Sequence, residues 1–127
     1  MRAYVFLLAG AALALTSSPA EAQRRWVTLG STTVGLGLDH DSIRVRNSGR
    51  HRQVRLCVSR NTVFINSYRV GFLRGGEQWV PVRMRLRPGT CSAITNLRRA
   101  PQSIRTVWLD FVRLRHGTRP VIRFEAR

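Results

Sequence analysis

The octapeptide Val80-Pro81-Val82-Arg83-Met84-Arg85-Leu86-Arg87 carries the clearest structural pattern in the chain. Apolar side chains occupy its even-numbered positions, and arginines occupy all but one of its odd-numbered positions. Successive side chains of a β-strand point to opposite faces, so this alternation predicts a strand with one buried face and one arginine-bearing face. Because Pro81 cannot donate a hydrogen bond to a neighbouring strand, we expect this strand either to lie at a sheet edge or to turn position 81 outward.

Similar short segments, separated by turn residues, follow one another along the chain. They cover residues 26–34, 42–46, 53–58, 62–65, 68–72, 93–97, 104–115 and 120–125. No window of ten or more residues carries the apolar stripe of a helix. The pattern predicts an all-β fold, a two-sheet antiparallel β-sandwich of about eight strands, with a small closed β-barrel as the alternative.

The segment before the octapeptide predicts a hairpin with a glycine turn. A two-residue turn at Gly75-Gly76 would place Val70 opposite Pro81, on the arginine side of the neighbouring strand. A three-residue loop over residues 74–76 would place Val70 opposite Val80 instead. We favour the longer loop, with a glycine in the left-handed conformation, because it puts the apolar sides of both strands on one face.

The N-terminus has the pattern of an export signal. Met1-Arg2 gives a positive start, residues 3–15 are apolar, and Ala20-Glu21-Ala22 is a small-x-small cleavage site. The sequence therefore predicts a signal peptide at residues 1–22 and a single domain at residues 23–127. The apolar run is shorter than the roughly 20 residues of a membrane-spanning helix. We expect an exported protein, periplasmic or extracellular, that is monomeric and has no transmembrane segment after cleavage.

Cys57 and Cys91 are the two cysteines of the chain. In an oxidising compartment such a pair tends to form a disulfide. Since Cys57 shares the outward phase of its strand with Arg55, a bridge requires Cys91 to lie on that same face. We expect the bridge, with an unbridged pair as the alternative. A redox pair would need C-x-x-C spacing, which the chain does not offer.

Several motifs resemble those of a known family. They are Trp26-Val27-Thr28-Leu29-Gly30, Asp39-His40-Asp41-Ser42-Ile43-Arg44-Val45 and Gly49-Arg50-His51-Arg52-Gln53-Val54-Arg55-Leu56. This part of the chain resembles the opening of small secreted bacterial proteins of the domain of unknown function 2541 type. Similar spacing continues through residues 104–107 and 121–124. The resemblance implies an exported β-sandwich with no assigned activity.

The strongest chemical signal is the excess of arginine. The 127 residues include 22 arginines, no lysine and six acidic residues, for a formal charge of +16. Apolar residues make up 43%, enough to pack a core, which excludes a disordered chain. Guanidinium groups match phosphate, sulfate and carboxylate. The predicted anion-binding residues are Arg83, Arg85 and Arg87, together with Arg55 and Arg44.

We expect this arginine-rich sheet face to make the protein a non-catalytic binding or interaction module. Outside the cytoplasm its partners would be anionic envelope components such as lipid phosphates, lipopolysaccharide and acidic glycans. No recognition helix or aromatic-basic platform indicates specific nucleic-acid binding. The alternative is a purely structural or partner-binding secreted protein whose arginines reflect compositional bias and keep its surface soluble.

Catalytic motifs are sparse, and no cofactor is expected. Asp39 and Asp41 form the one close pair of carboxylates, and a hydrolase using them with a neighbouring histidine is a weaker hypothesis. The same pair is a weak candidate for calcium, which would need several further oxygen ligands. Otherwise these acids satisfy turn amides or pair with arginines such as Arg44 and Arg55.

Overall fold

The computed structural model describes residues 3, 25–46 and 49–127. The predicted signal peptide, residues 1–22, lies outside the described residues apart from Ala3. The part of the chain that is described contains strands and no helix. The strands are β1 (Val27–Thr33), β2 (His40–Arg44), β3 (Gln53–Ser59), β4 (Val63–Phe72), β5 (Glu77–Leu86), β6 (Thr95–Asn96), β7 (Ile104–Phe111) and β8 (Val121–Ala126).

Two four-stranded antiparallel sheets form a sandwich, as the sequence predicts. The first sheet has the strand order β1-β8-β3-β6, and the second has the order β2-β7-β4-β5. At one edge of the sandwich the sheets approach closely, because a Cβ added to Gly30 in β1 would lie 2.5 Å from Cγ2 of Ile43 in β2. That approach needs a residue without a side chain in β1.

The core lies between the sheets and is built from alternate positions along the strands. On β3, Val54, Leu56 and Val58 are fully buried. Tyr68 of the second sheet meets Phe124 of the first edge to face, with 6.3 Å between the ring centroids. Burying such side chains contributes about 25 cal/mol per Å² of apolar surface, so this alternation is the main source of stability.

Two predicted strands differ in extent because of their neighbours. The segments predicted at 62–65 and 68–72 form one strand, β4, in which Asn66 is an extra residue relative to β7. The strand predicted at 104–115 ends at Phe111. β2 begins opposite Asp110, and Phe111 is the last residue of β7 in register with β4. Beyond it a single backbone hydrogen bond, from the Val112 N–H to the Phe64 carbonyl, continues the contact with β4.

β6 is much shorter than the predicted strand at 93–97. Only Thr95 and Asn96 pair with β3. Closer to the disulfide, the hydroxyl of Ser92 accepts the hydrogen bond of the Leu56 backbone N–H. The Ser92 side chain therefore accepts a hydrogen bond that a backbone carbonyl accepts in a regular sheet. The regular pairing of β6 with β3 begins only at Thr95.

The hairpin between β4 and β5 has a three-residue loop, but its position differs from the prediction. Leu73, Arg74 and Gly75 form the loop, and the Phe72 N–H donates to the Gly76 carbonyl. Tyr68 therefore pairs with Val80, and the predicted pairing of Val70 with Val80 is wrong by two residues. A shift of two residues preserves the faces, so the apolar sides still coincide.

Candidate anion-binding surfaces

The predicted arginine row, Arg83, Arg85 and Arg87, lies along β5 and just beyond its end. β5 is an edge strand of the second sheet, as the proline at position 81 predicts. All three arginines are exposed. Within residues 25–46 and 49–127, none of them lies within salt-bridge distance of a carboxylate. We call these three residues the β5 row.

A β-bulge interrupts the alternation within the β5 row, at Arg83. Pro81 pairs with Ser67 and Met84 pairs with Ile65, so both Val82 and Arg83 face Asn66. Arg83 has φ 49°, in the left-handed region that arginine rarely adopts. The prediction that Met84 is buried is wrong, because its side chain is 48% exposed at this irregular edge. The alternation resumes at Leu86, which is 2% exposed.

The structure places Arg44 and Arg55 away from the β5 row. Arg44 is exposed on β2, at the opposite edge of the same sheet. Arg55 lies on the outer face of the first sheet, where its guanidinium donates to Glu125 at 2.9 Å and 3.3 Å. The same guanidinium stacks over the ring of Trp26, 4.1 Å from its centroid. The five predicted residues therefore occupy three separate surfaces.

Cys57 and Cys91 form the predicted disulfide, with 4.0 Å between their Cα atoms. Cys57 lies on the outer face of the first sheet beside Arg55, as its strand phase predicts. Cys57, Cys91 and Glu125 are also the one group of three possible metal-ligating residues within the described residues. Both sulfur atoms belong to the disulfide, so this group offers no thiolate to a metal.

Asp39 and Asp41 do not share a site. Asp39 contacts His40 at 2.8 Å and Arg113 at 3.3 Å. Asp41 instead accepts hydrogen bonds from the Thr32 hydroxyl and from the Ser42 N–H. The hydrogen bond with His40, and then that with Arg113, hold the pKa of the Asp39 carboxyl below its usual range. The arginine partner of Asp39 is thus Arg113, rather than the Arg44 or Arg55 considered from the sequence.

A cross-strand row of large side chains covers the outer face of the second sheet. Arg69 on β4 pairs with Trp79 on β5 and with Trp108 on β7. The Arg69 guanidinium lies 4.7 Å from the Trp108 ring centroid and forms an ion pair with Glu77 at 3.1 Å. Trp108 also covers Gly71, where an added Cβ would lie 2.7 Å from the ring. The charge of Arg69 is therefore already compensated within the sheet.

Three further arginines, which the sequence analysis did not single out, line one cleft. They are Arg50, Arg74 and Arg99, and each comes from a different loop. No pattern in the sequence links them, because more than 20 residues separate each from the next along the chain. The only local signal is that Arg50 and Arg74 each adjoin a glycine, and that Arg99 lies two residues before Pro101.

The fold and these surfaces define a small basic β-sandwich protein. The profile of the family described as "Domain of unknown function (DUF2541)" matches residues 4–112, and the chain belongs to this family. No curated protein matches the chain.

Among solved structures, the chain is similar to AlgX from Pseudomonas aeruginosa, known from the "structural and functional characterization" of that protein. The TM-score is 0.51 at 14% sequence identity, over 80% of this chain and 26% of AlgX. The chain therefore spans about a quarter of the length of AlgX, and the similarity concerns the fold. Within the described residues, no helical segment has the length and apolarity of a membrane span.

Proposed function

We propose that this protein is an exported, non-catalytic module that binds polyanions through the β5 row. One observation carries the proposal: Arg83 and Arg85 on an edge strand, and Arg87 just beyond its end, present exposed guanidinium groups that have no ion-pair partner among the described residues. Alternate residues of a regular strand are about 7 Å apart, so Arg85 and Arg87, with Arg83 at the adjacent bulge, bring three cations to a short length of one sheet edge. Such an array suits a linear polyanion better than a single small ion.

The disulfide supports export. Bridged cysteines persist in oxidising compartments and are rare in the cytosol. The partners available there are anionic envelope components, namely lipid phosphates, lipopolysaccharide and acidic glycans. With a formal charge of +16, long-range attraction accelerates encounters with any of them.

The arrangement at Asp39 supports a non-catalytic role. A general acid of a hydrolase needs a carboxyl whose pKa is raised by an apolar environment. Asp39 is 46% exposed and His40 is 80% exposed, and the pKa of Asp39 is lowered. This pair has the character of a surface ion pair.

The test is the salt dependence of binding to heparin, a sulfated glycan. The variant of the β5 row combines Arg83→Asn, Arg85→Ser and Arg87→Ser, with asparagine chosen at position 83 because it tolerates a positive φ. The matched control combines Arg46→Ser, Arg115→Ser and Arg119→Ser, three exposed arginines elsewhere. Both variants lose three positive charges.

We expect the slope of log K against log salt to fall by about 2 to 3 in the β5-row variant and to stay near the parental value in the control. Equal slopes in the two variants would show that the net charge, rather than the row, governs binding. In that case the arginines are ordinary surface residues of a structural protein.

A further inference from the structure

A cleft of about 410 Å³ opens at the end of the sandwich that carries the β4–β5 hairpin. Its walls come from three loops: the segment before β3, the hairpin loop, and the segment before β7. We call it the terminal cleft. It lies at the opposite end of β5 from the β5 row, so it is a separate surface.

Backbone hydrogen bonds hold the three loops together. The Leu73 N–H donates to the Ser103 carbonyl at 2.9 Å, which ties the hairpin to the segment before β7. His51 and Gln102 exchange two backbone hydrogen bonds of 2.8 Å, which tie that segment to the start of β3. The Gln102 side chain donates to the Arg98 carbonyl at 3.0 Å. The cleft is therefore preorganised, which lowers the entropic cost of binding.

Each loop contributes one arginine, Arg50, Arg74 or Arg99, and no carboxylate lines the cleft. Arg50 donates to the Pro101 carbonyl at 3.4 Å. Among the residues described, Arg74 and Arg99 form no ion pair. Three positive charges converging on one concavity without an acidic partner repel one another, and an anion would relieve that repulsion.

The backbone at Arg99 points to the same conclusion. Arg99 has φ 52°, a left-handed conformation that costs a non-glycine residue free energy. Strain of this kind concentrates at ligand-binding sites, where the surrounding structure maintains it. In this protein the strained residue is one of the three cleft arginines.

We propose that the terminal cleft binds a phosphate monoester on a sugar-sized body. A phosphate monoester carries between one and two negative charges near neutral pH and has three strong acceptor oxygens, so several guanidinium groups can bind it at once. A single carboxylate has one charge and would leave much of the cleft charge uncompensated. This inference rests on the proposed function in one respect, namely that the protein binds anions.

The size and lining of the cleft indicate more than a bare phosphate. A volume of 410 Å³ lies in the range of sites for small organic ligands. Leu73, 63% exposed at the rim, and Pro101 provide apolar surface for the ligand body, while Gln102 and Ser103 provide polar groups. Phosphorylated sugars have this chemistry, and phosphatidic acid shares it because its phosphate is also a monoester.

Calorimetry on the full chain tests the proposal with glucose 1-phosphate, glucuronate and glucose as soluble probes. Vesicles containing phosphatidic acid form a further arm, which separates a lipid source from a soluble one. The cleft variant combines Arg50→Gln with Arg99→Asn. The matched control combines Arg52→Gln with Arg98→Gln, which are neighbours in sequence but do not line the cleft. Arg74→Gln, in an exposed hairpin loop, is a second cleft variant with little effect on folding.

We expect glucose 1-phosphate to bind more tightly than glucuronate or glucose. Affinity should fall at least about tenfold in either cleft variant and stay within about twofold in the control. Binding in the vesicle arm alone, with the same dependence on the cleft arginines, would assign the phosphate to a lipid. The proposal is overturned if neither phosphate probe binds, if glucuronate binds equally well, or if the control loses as much affinity as the cleft variants.

The two proposals can fail separately. The cleft variants leave the β5 row intact, so the salt slope on heparin should stay near the parental value. Conversely, the β5-row variant should bind glucose 1-phosphate as the parent does. Loss of both properties in both variants would show a general effect of charge and would contradict the assignment of separate sites.

Discussion

The outer face of the first sheet and the β5 row of the second carry arginines with the same sequence pattern but different surroundings. Arg55 and Arg85 each alternate with apolar residues along a strand. Arg55 is in register with Glu125, whereas Arg85 is in register with Phe64. The Arg55 guanidinium is consequently paired and three-quarters buried, whereas Arg85 is exposed and has no ion-pair partner among the described residues. The cross-strand partner, rather than the alternation, decides whether an arginine is structural or available.

Acidic residues are scarce, so the same difference between paired and unpaired arginines applies to the other arginines of the chain. Of the five acidic side chains described, those of Asp39, Glu77 and Glu125 form ion pairs with arginine. Their partners are Arg113, Arg69 and Arg55, and none of these belongs to the β5 row or to the terminal cleft. Arginines far outnumber the acidic residues, so most of them have no acidic partner and face solvent. The place of each arginine in the fold then determines which of them lie close together.

The largest expected effect comes from breaking the Cys57–Cys91 disulfide, which lies on the outer face of the first sheet beside Arg55. Replacing Cys57 and Cys91 by alanine should lower the free energy of unfolding by about 4 kcal/mol, because a loop of 34 residues is no longer closed in the unfolded chain. Urea denaturation of the variant and the parent measures this loss. Reduction of the parent should give a similar loss, whereas a change below about 1 kcal/mol would contradict a structural role.

The inner side of the second sheet buries one ionisable group, the Tyr68 hydroxyl. This group predicts an effect of intermediate size on the stability at high pH. Tyr68, on the second sheet, has a buried hydroxyl without a hydrogen-bond partner of ordinary geometry. Burial raises its pKa to about 12, and Thr95 opposes that rise. A raised pKa means that the stability is complete below pH 10 and decreases as the pH increases towards and through 12.

The free energy of unfolding of the parent should therefore fall by about 2 kcal/mol between pH 9 and pH 12 through this residue. Tyr68→Phe removes the ionisable group and should abolish that part of the loss. Urea denaturation of both proteins at the two pH values measures the difference, in which other alkaline effects cancel. Parallel losses in the parent and the variant would contradict the assignment to Tyr68.

The strands and the exposure of the β5 row could be predicted because both depend on local alternation. The octapeptide at 80–87 shows its buried and exposed faces in the sequence itself. Alternation determines the face but leaves the register open, so the hairpin pairing was predicted two residues away from its true position. The exposure of Met84 had no signal, since a bulge depends on the pairing of three adjacent strands.

The terminal cleft could not be predicted for a different physical reason. Arg50, Arg74 and Arg99 belong to loops that meet only because β3, β4 and β7 each begin or end at the same end of the sandwich. Their convergence is a property of the topology. The predicted export signal is the opposite case, since its pattern is local and stays a prediction because residues 4–24 lie outside the described part of the chain.

The smallest expected effect is the difference between two ion pairs of the same chemistry, one on the outer face of each sheet. Glu125 pairs with Arg55, with side chains 10% and 24% exposed, whereas Glu77 pairs with Arg69, with side chains 47% and 48% exposed. Glutamine keeps the shape of each side chain and one acceptor but removes the charge. Glu125→Gln should lower the free energy of unfolding by about 1.5 kcal/mol, because it leaves a largely buried guanidinium without its counter-charge.

Glu77→Gln should change the free energy of unfolding by less than about 0.5 kcal/mol, because water screens the exposed pair. Urea denaturation at low and high salt separates the two cases, since salt should weaken the Glu77 pair and leave the Glu125 pair nearly unchanged. If both substitutions cost the same, burial does not distinguish the two faces. The unpaired arginines of the β5 row would then owe their availability to the shortage of acids alone, with no contribution from register.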